Sequence, residues 1–160
     1  METEKHTILI TVANRVGVMA RVAGLLSSRG FNIESIVGAP TEDPDIYKIT
    51  LTLFGTEEKI EQLAKQLNKL IDTIKVVEVS HGKSYIIREY LLLKVSAKKS
   101  RTEIFELIRV FNAKVVDVTK THLTIDLAGP PIKIQRLIDL LMPYGIKEYV
   151  RTGGIALGEN

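Results

Sequence analysis

The 160-residue chain contains no cysteine and no tryptophan. Without thiols there is no disulfide framework, no thiolate nucleophile and no zinc ribbon or finger, so nothing argues for an oxidising compartment and a cytoplasmic location is expected. No stretch approaches the roughly 18 uninterrupted apolar residues that a spanning helix needs. The start, Met1-Glu2-Thr3-Glu4-Lys5-His6, is acidic and polar rather than basic then apolar, so neither a membrane segment nor an export signal is expected. Catalytic motifs are missing too: there is no Gly-x-Ser-x-Gly elbow, no His-Glu-x-x-His and no dinucleotide glycine fingerprint. His6, His81 and His122 are the only histidines, and none has a second ligand at helical or hairpin spacing, so no metal is assigned. Gly82-Lys83-Ser84 copies the end of a phosphate-binding loop, but Val77 stands where that loop needs its first glycine, and a flexible linker is the better reading. The chain is not expected to be an enzyme by itself.

What is present is a globular composition, 45% hydrophobic and 26% charged, at a length that allows one ordinary domain or two small ones. The net charge of +3 is unevenly spread. Residues 1–80 hold 9 Lys+Arg against 11 Asp+Glu, a net −2, whereas residues 81–160 hold 13 against 8, a net +5. A basic half suits nucleic acid or an acidic protein surface equally. With no recognition motif and no basic cluster interleaved with aromatics, nucleic acid is not expected.

Hydrophobic periodicity supplies the organisation. Residues 7–13 alternate as a strand, and Val18, Met19, Val22, Leu25 and Leu26 form a helical stripe stopped by Arg29-Gly30. Phe31–Ala39 and Ile46–Phe54 alternate again around the turn-rich Pro40-Thr41-Glu42-Asp43-Pro44-Asp45, whose carboxylates read as turn formers rather than a metal site. A second helix, starting near Thr56, carries Ile60, Leu63, Ala64, Leu67, Leu70 and Ile71, and Ile74–Val79 closes the unit. After the linker Ser80–Ser84 the order recurs. A strand at Ile87–Ala97 leads to a capping-box spacing at Ser100 and Glu103, then to a helix with Ile104, Phe105, Ile108 and Phe111 inward and Asn112 as a left-handed stop. Strands at Lys114–Thr119 and Thr121–Leu127 follow, then a helix opened by Pro130-Pro131 and carried to Pro143, then Ile146–Arg151. The predicted fold class is α+β: two tandem ferredoxin-like βαββαβ domains, 1–80 and 81–160, each an antiparallel sheet with helices on one face.

One segment suits ligand binding. Asn14-Arg15-Val16-Gly17-Val18-Met19 joins the first strand to the first helix, so the amides of Gly17, Val18 and Met19 face outward from a helix N-terminus that attracts a carboxylate. Asn14 adds an amide donor and acceptor, and Asn32, at the start of the second strand, offers the same from a neighbouring strand end; together they could hold both ends of an amino acid. The plainer alternative stays open: Asn14 shapes a turn, Gly17 relieves crowding and Asn32 sits at a sheet edge.

At these residues the sequence resembles the regulatory (small) subunit of acetohydroxyacid synthase, also called acetolactate synthase. His6-Thr7-Ile8, Asn14-x-x-Gly17, Arg21-Val22, Arg29-Gly30-Phe31-Asn32-Ile33-Glu34-Ser35-Ile36 and Thr41-Glu42-Asp43-Pro44 look like successive blocks of that family's N-terminal ACT domain. Arg88-Glu89, Phe111–Val118, Tyr144-Gly145-Ile146 and Arg151-Thr152-Gly153 resemble its C-terminal domain. Ala13 and Met19 depart from the acidic residue and the leucine common there. The resemblance implies a homodimer through paired ACT domains, with valine or another branched-chain amino acid bound between them by Asn14, Gly17, Val18, Met19, Asn32 and Ile33. It further implies a large catalytic partner carrying thiamine diphosphate, magnesium and FAD, which this chain would activate and subject to feedback inhibition; the basic second half is a candidate for docking on that partner. Two other readings stay open: an amino-acid-responsive transcription regulator, disfavoured by the lack of a helix-turn-helix, and a free-standing amino-acid sensor.

Overall fold

The computed structural model describes residues 3–79 and 84–158, so Ser80-His81-Gly82-Lys83 of the expected linker lie outside the described residues. The elements run β1 (Glu4–Ala13), α1 (Val18–Ser28), β2 (Asn32–Pro40), β3 (Ile46–Gly55), α2 (Glu57–Leu67), β4 (Thr73–Val79), β5 (Tyr85–Ser96), α3 (Arg101–Phe111), β6 (Lys114–Val118), β7 (His122–Gly129), α4 (Pro131–Gly145), β8 (Ile146–Arg151) and β9 (Ile155–Gly158). They form two compact units, Met1–Ile86 with Ile155–Asn160, and Ile87–Gly154.

The first unit holds an antiparallel sheet of order β2-β3-β1-β4. Alternation on the two central strands puts Ile8, Ile10 and Val12 of β1 and Ile49, Leu51 and Leu53 of β3 on one face. Val18, Val22 and Leu26 of α1 and Ile60, Leu63 and Leu67 of α2 close over them, and all are buried. The second unit repeats the order as β6-β7-β5-β8. Leu91, Leu93 and Val95 of β5 and Leu123, Ile125 and Leu127 of β7 meet Ile104 and Ile108 of α3 and Ile134, Leu137, Ile138 and Leu141 of α4. The expected fold class is therefore the observed one. The corresponding helices α1 and α3 even stop alike. Phe31 N–H donates to the Leu26 carbonyl and Ala113 N–H to that of Ile108, across a left-handed Gly30 (φ 68°) and Asn112 (φ 55°).

Several details depart from the sequence reading, each for a local reason. α2 ends at Leu67 rather than running to Ile71, because Lys69, Leu70 and Thr73 N–H groups donate to the carbonyls of Gln66, Leu67 and Leu70 in successive tight turns. The turns swing Asp72 inward and leave Ile71 87% exposed. Phe105, expected inward, is 40% exposed. Ser100 does cap α3, but without the side-chain bond of a capping box; the Glu103 carboxylate instead accepts from the Tyr144 hydroxyl, raising the pKa of that phenol. α4 continues two residues past Pro143, which sits in the last turn where its missing N–H forfeits one bond at an end already fraying. An even cut at residue 80 misses the return of the tail, since β9 belongs to the first unit and pairs with β5, whose first two residues belong there too. In the second unit Glu89 is buried on the core face of β5 and held by both nitrogens of an Arg151 fork, whose third nitrogen reaches Gln135 Oε1 at 2.7 Å.

The face assignment on β5 and β7 is testable by urea unfolding. Ile125→Ala, at a fully buried site, should cost about 2–5 kcal/mol, whereas Leu92→Ala on the opposite face should cost less than about 1 kcal/mol. Equal losses would contradict the alternation.

Candidate functional site

The turn between β1 and α1 is built by backbone geometry and one ion pair to a buried carboxylate. Arg15 N–H donates to the Ala13 carbonyl (2.9 Å) and Val18 N–H to the Arg15 carbonyl (3.3 Å), tightening the chain before Gly17 turns it into the helix. Gly17 has φ 83°, a left-handed conformation that a side chain resists, and it caps α1 without any side-chain bond. Its role is therefore conformational as well as steric. The helix axis starts there with amides directed outward, and among the described residues those of Gly17 and Met19 have no hydrogen-bond partner. The Val18 amide donates to the Arg15 carbonyl, and its side chain is 6% exposed in the core.

Sequence reasoning gave no role to the pair that fixes this turn. Arg21, one turn into α1, donates from Nε to Asp72 Oδ2 (2.7 Å) and from Nη2 to the Val16 carbonyl (3.3 Å). The Asp72 carboxylate is almost fully buried, and its main-chain oxygen accepts from Ala13 N–H at 2.8 Å. One aspartate thus ties the end of β1, the first turn of α1 and the start of β4 together. The sequence offers only a lone acid, Asp72, directly after Ile71, and the helical stripe through Ile71 conceals it.

Asn14 is anchored from the other side. Its N–H donates to the Asp45 carbonyl (2.8 Å) and its side-chain amide to the Pro44 carbonyl (2.9 Å), leaving the side-chain oxygen available. The acidic loop that receives it is a set of turn formers, as read: Asp45 N–H donates to Asp43 Oδ1 at 2.9 Å. The expected meeting of Asn14 with Asn32 does not occur within one chain. Ala13 pairs with Ile46 at the start of β3, while Asn32 pairs with Phe54 near its end. At about 3.3 Å per residue the two lie roughly 26 Å apart along β3. Asn32 and Ile33 therefore open β2 at the far end of the sheet from Asn14, Gly17, Val18 and Met19.

The remaining polar groups form no competing centre. His6 Nδ1 lies 2.9 Å from Glu78 Oε1, His122 Nδ1 lies 2.7 Å from Thr121 Oγ1, and among the described residues no three His, Asp or Glu side chains gather as a metal site. Among the described residues no helix is long and apolar enough to cross a membrane. Tyr90 donates to Asp126 Oδ2 at 3.0 Å on the outer face of the second sheet, a bond that raises the phenol's pKa.

Comparison with known proteins places this geometry. Residues 8–75 match a family model described as the AHAS small subunit-like ACT domain, and residues 88–160 match one described as the small subunit of acetolactate synthase. The chain is 46% identical over 154 residues to the acetolactate synthase small subunit of Bacillus subtilis, covering 95% of this chain and 89% of that protein. The chain belongs to the acetolactate synthase small-subunit family. It is also 42% identical over 156 residues to the small subunit of Mycolicibacterium smegmatis, covering 97% of this chain and 91% of that one. The crystal structure of the acetolactate synthase small subunit of Thermotoga maritima superposes with a TM-score of 0.87 at 33% identity, covering 98% of both chains. In this small subunit the glycine turn opens the first helix of the ACT domain, and Arg21–Asp72 is its brace.

Asp72→Ala should lower stability by about 1–3 kcal/mol in urea, because the brace and its buried hydrogen bonds are lost. Amide exchange at residues 15–20 should accelerate. Unchanged exchange there would show that the turn does not depend on the pair.

Proposed function

We propose that this small subunit activates the catalytic subunit of acetolactate synthase and makes it answer to valine, bound between the ACT domains of two copies. The observation that carries the reading is the register: no single unit brings Asn14 and Asn32 together, whereas a two-fold pairing of the first units would. β2 is an outer strand whose second edge has no partner among the described residues, and such an edge is a template for another strand. When two β2 strands pair antiparallel about a two-fold axis, the Asn32 end of one meets the Pro40 end of the other. That end is linked through Pro44 and Asp45 to Asn14 and the glycine turn.

Each symmetric pair would then hold two equivalent sites, every one built from both copies. The outward amides of Gly17 and Met19 take the valine carboxylate, the Asn14 oxygen and the Asn32 side chain from the second copy take polar groups, and Met19 with Ile33 supplies apolar wall; Val18 shapes the turn beneath. Valine that binds only the closed pair stabilises it, and a pair held differently grips the catalytic subunit differently. Thiamine diphosphate, magnesium and FAD belong to that catalytic partner on this reading, and the complex is cytoplasmic.

Calorimetry of the full chain with valine, leucine and isoleucine, beside activity of the purified catalytic subunit with and without the chain, tests the whole reading; silence toward all three with no activation overturns it. Asn14→Ala and Asn32→Ala should each lose valine binding, yet their mixture should regain one intact site per mixed dimer. No recovery on mixing would rule out the shared site. Gly17→Asp should abolish valine sensitivity, while Gly17→Ala, with the same backbone strain of about 1–2 kcal/mol but no charge, should keep more of it.

A further inference from the structure

At the other end of the first unit, away from the glycine turn, lies a cleft of about 460 Å³. It opens between the end of α1, the start of β2, the end of β3 and the first turns of α2. Phe31, Phe54 and Leu63 give it an apolar floor, and Arg29, Lys59 and the amides of Asn32, Gln62 and Gln66 line the rest. The volume is that of a small-molecule site, and the lining is mixed, with polar groups outnumbering the three apolar side chains.

Its charge is one-sided. No acid lines the cleft among the described residues, and neither Arg29 nor Lys59 has an ion-pair partner among them. Among nearby acids, Glu34 pairs with Lys5 at 2.6 Å and Glu61 with Lys65 at 2.8 Å, while Glu57 and Glu58, in the same helical turn as Lys59, do not line the cleft. Lys59 stands in the first turn of α2, where a cation gains nothing from the helix dipole. Phe54 is left 39% exposed beside these two cations. An exposed aromatic floor under two unpaired cations is complementary to a molecule with an anionic head and an apolar body.

We propose that this cleft is a second ligand site of the small subunit, taking a small organic anion whose carboxylate or phosphate head sits between Arg29 and Lys59 and whose apolar body lies on Phe31 and Phe54. It goes beyond the valine reading, because none of Asn14, Gly17, Val18 or Met19 contributes to it. Asn32 borders both sites, so a variant of the glycine turn separates them.

The test titrates the full-length chain with 2-oxobutyrate, phenylpyruvate and phenyl phosphate, with acetate and inorganic phosphate as heads lacking a body, followed by two-dimensional amide NMR. At least one organic probe should saturate with a Kd below about 1 mM and bind about tenfold or more tightly than its bare head. Shifts should gather at residues 29–32, 54–56 and 59–66. The carboxylate and phosphate arms say which head the site prefers. Arg29→Ala and Lys59→Ala, both exposed substitutions compatible with folding, should each weaken binding by about tenfold or more, and Gly17→Asp should leave it unchanged. The proposal falls if no probe saturates by about 10 mM, if bare heads bind as tightly as the organic probes, or if either cation can be removed without loss. Absence of valine binding alone would sink the effector reading and leave this one standing.

Discussion

The antiparallel register of β1 against β3 is the constraint on which the proposed ligand site of this chain depends. Pairing Ala13 with Ile46 and Glu4 with Gly55 makes β3 a ruler with the glycine turn at one end and Asn32 at the other. The register is strongly held, because a slip by one residue would turn Ile8, Ile10, Val12, Ile49, Leu51 and Leu53 out of the core together. Everything polar that the family resemblance assigns to valine is therefore divided between two ends of one rigid sheet. A divided site cannot be completed by a loop movement within the chain. Completing it requires a second copy, so on the proposed reading ligand affinity and self-association are one equilibrium, and valine affinity should depend on how fully the chain is paired.

The Arg21–Asp72 brace explains how a mostly exposed turn can still be preorganised. Val16 is fully exposed and Asn14 and Arg15 lie at the surface, so burial does not fix this segment. Three directed constraints do: the left-handed Gly17, the Asn14 bonds to Pro44 and Asp45, and Arg21 reaching both the Val16 carbonyl and a buried carboxylate. An acid introduced at Gly17 meets this arrangement directly. A Cβ there would stand 3.0 Å from Arg21 Nη1, and a carboxylate beyond it would compete with Asp72 for the guanidinium. On the proposed reading such a change fills the anion position and loosens its support at once, which is why the neutral substitution at the same residue is the informative control.

The two halves were legible as halves because their elements are long and clearly patterned. Eight of the nine strands and all four helices follow from period-two and helical spacing, and Asn112 could be read as a helix stop from its chemistry alone. The features that escaped are those set by partners distant in sequence. β9 is four residues long, with Gly153-Gly154 before it and no pattern of its own, and exists because β5 offers it an edge. Ser100 and Glu103 satisfy the capping-box spacing, but Tyr144 offers Glu103 a phenol from another helix. Glu89 continues the inward positions of β5 as a buried acid, which only Arg151 across the sheet makes tolerable. At the candidate site the residue types were visible and their separation was not. Spacing along a chain says that Asn32 opens a strand, whereas the end of the sheet at which it opens is decided by pairing.

The second unit shows why the same topology carries a candidate effector turn only once. β5 leads into α3 at the position where β1 leads into α1, yet the chemistry differs. The first junction is compact and bends through a left-handed glycine, while the second runs Ala97-Lys98-Lys99-Ser100, with Ser100 at φ −130° and no glycine. Lysines at this junction bring their own charge to a helix start, and long side chains replace the bare backbone approach that Gly17 permits. No counterpart of the brace forms either: Arg101 there donates to the carbonyls of Thr119 and Lys120 at 2.7 and 3.1 Å, tying α3 to the β6–β7 turn instead of to a buried acid. The duplicated frame thus supplies two strand-to-helix junctions, and local sequence makes one a bare, braced glycine turn and the other a lysine-rich surface. That difference follows the charge split between the halves, −2 over residues 1–80 and +5 over residues 81–160.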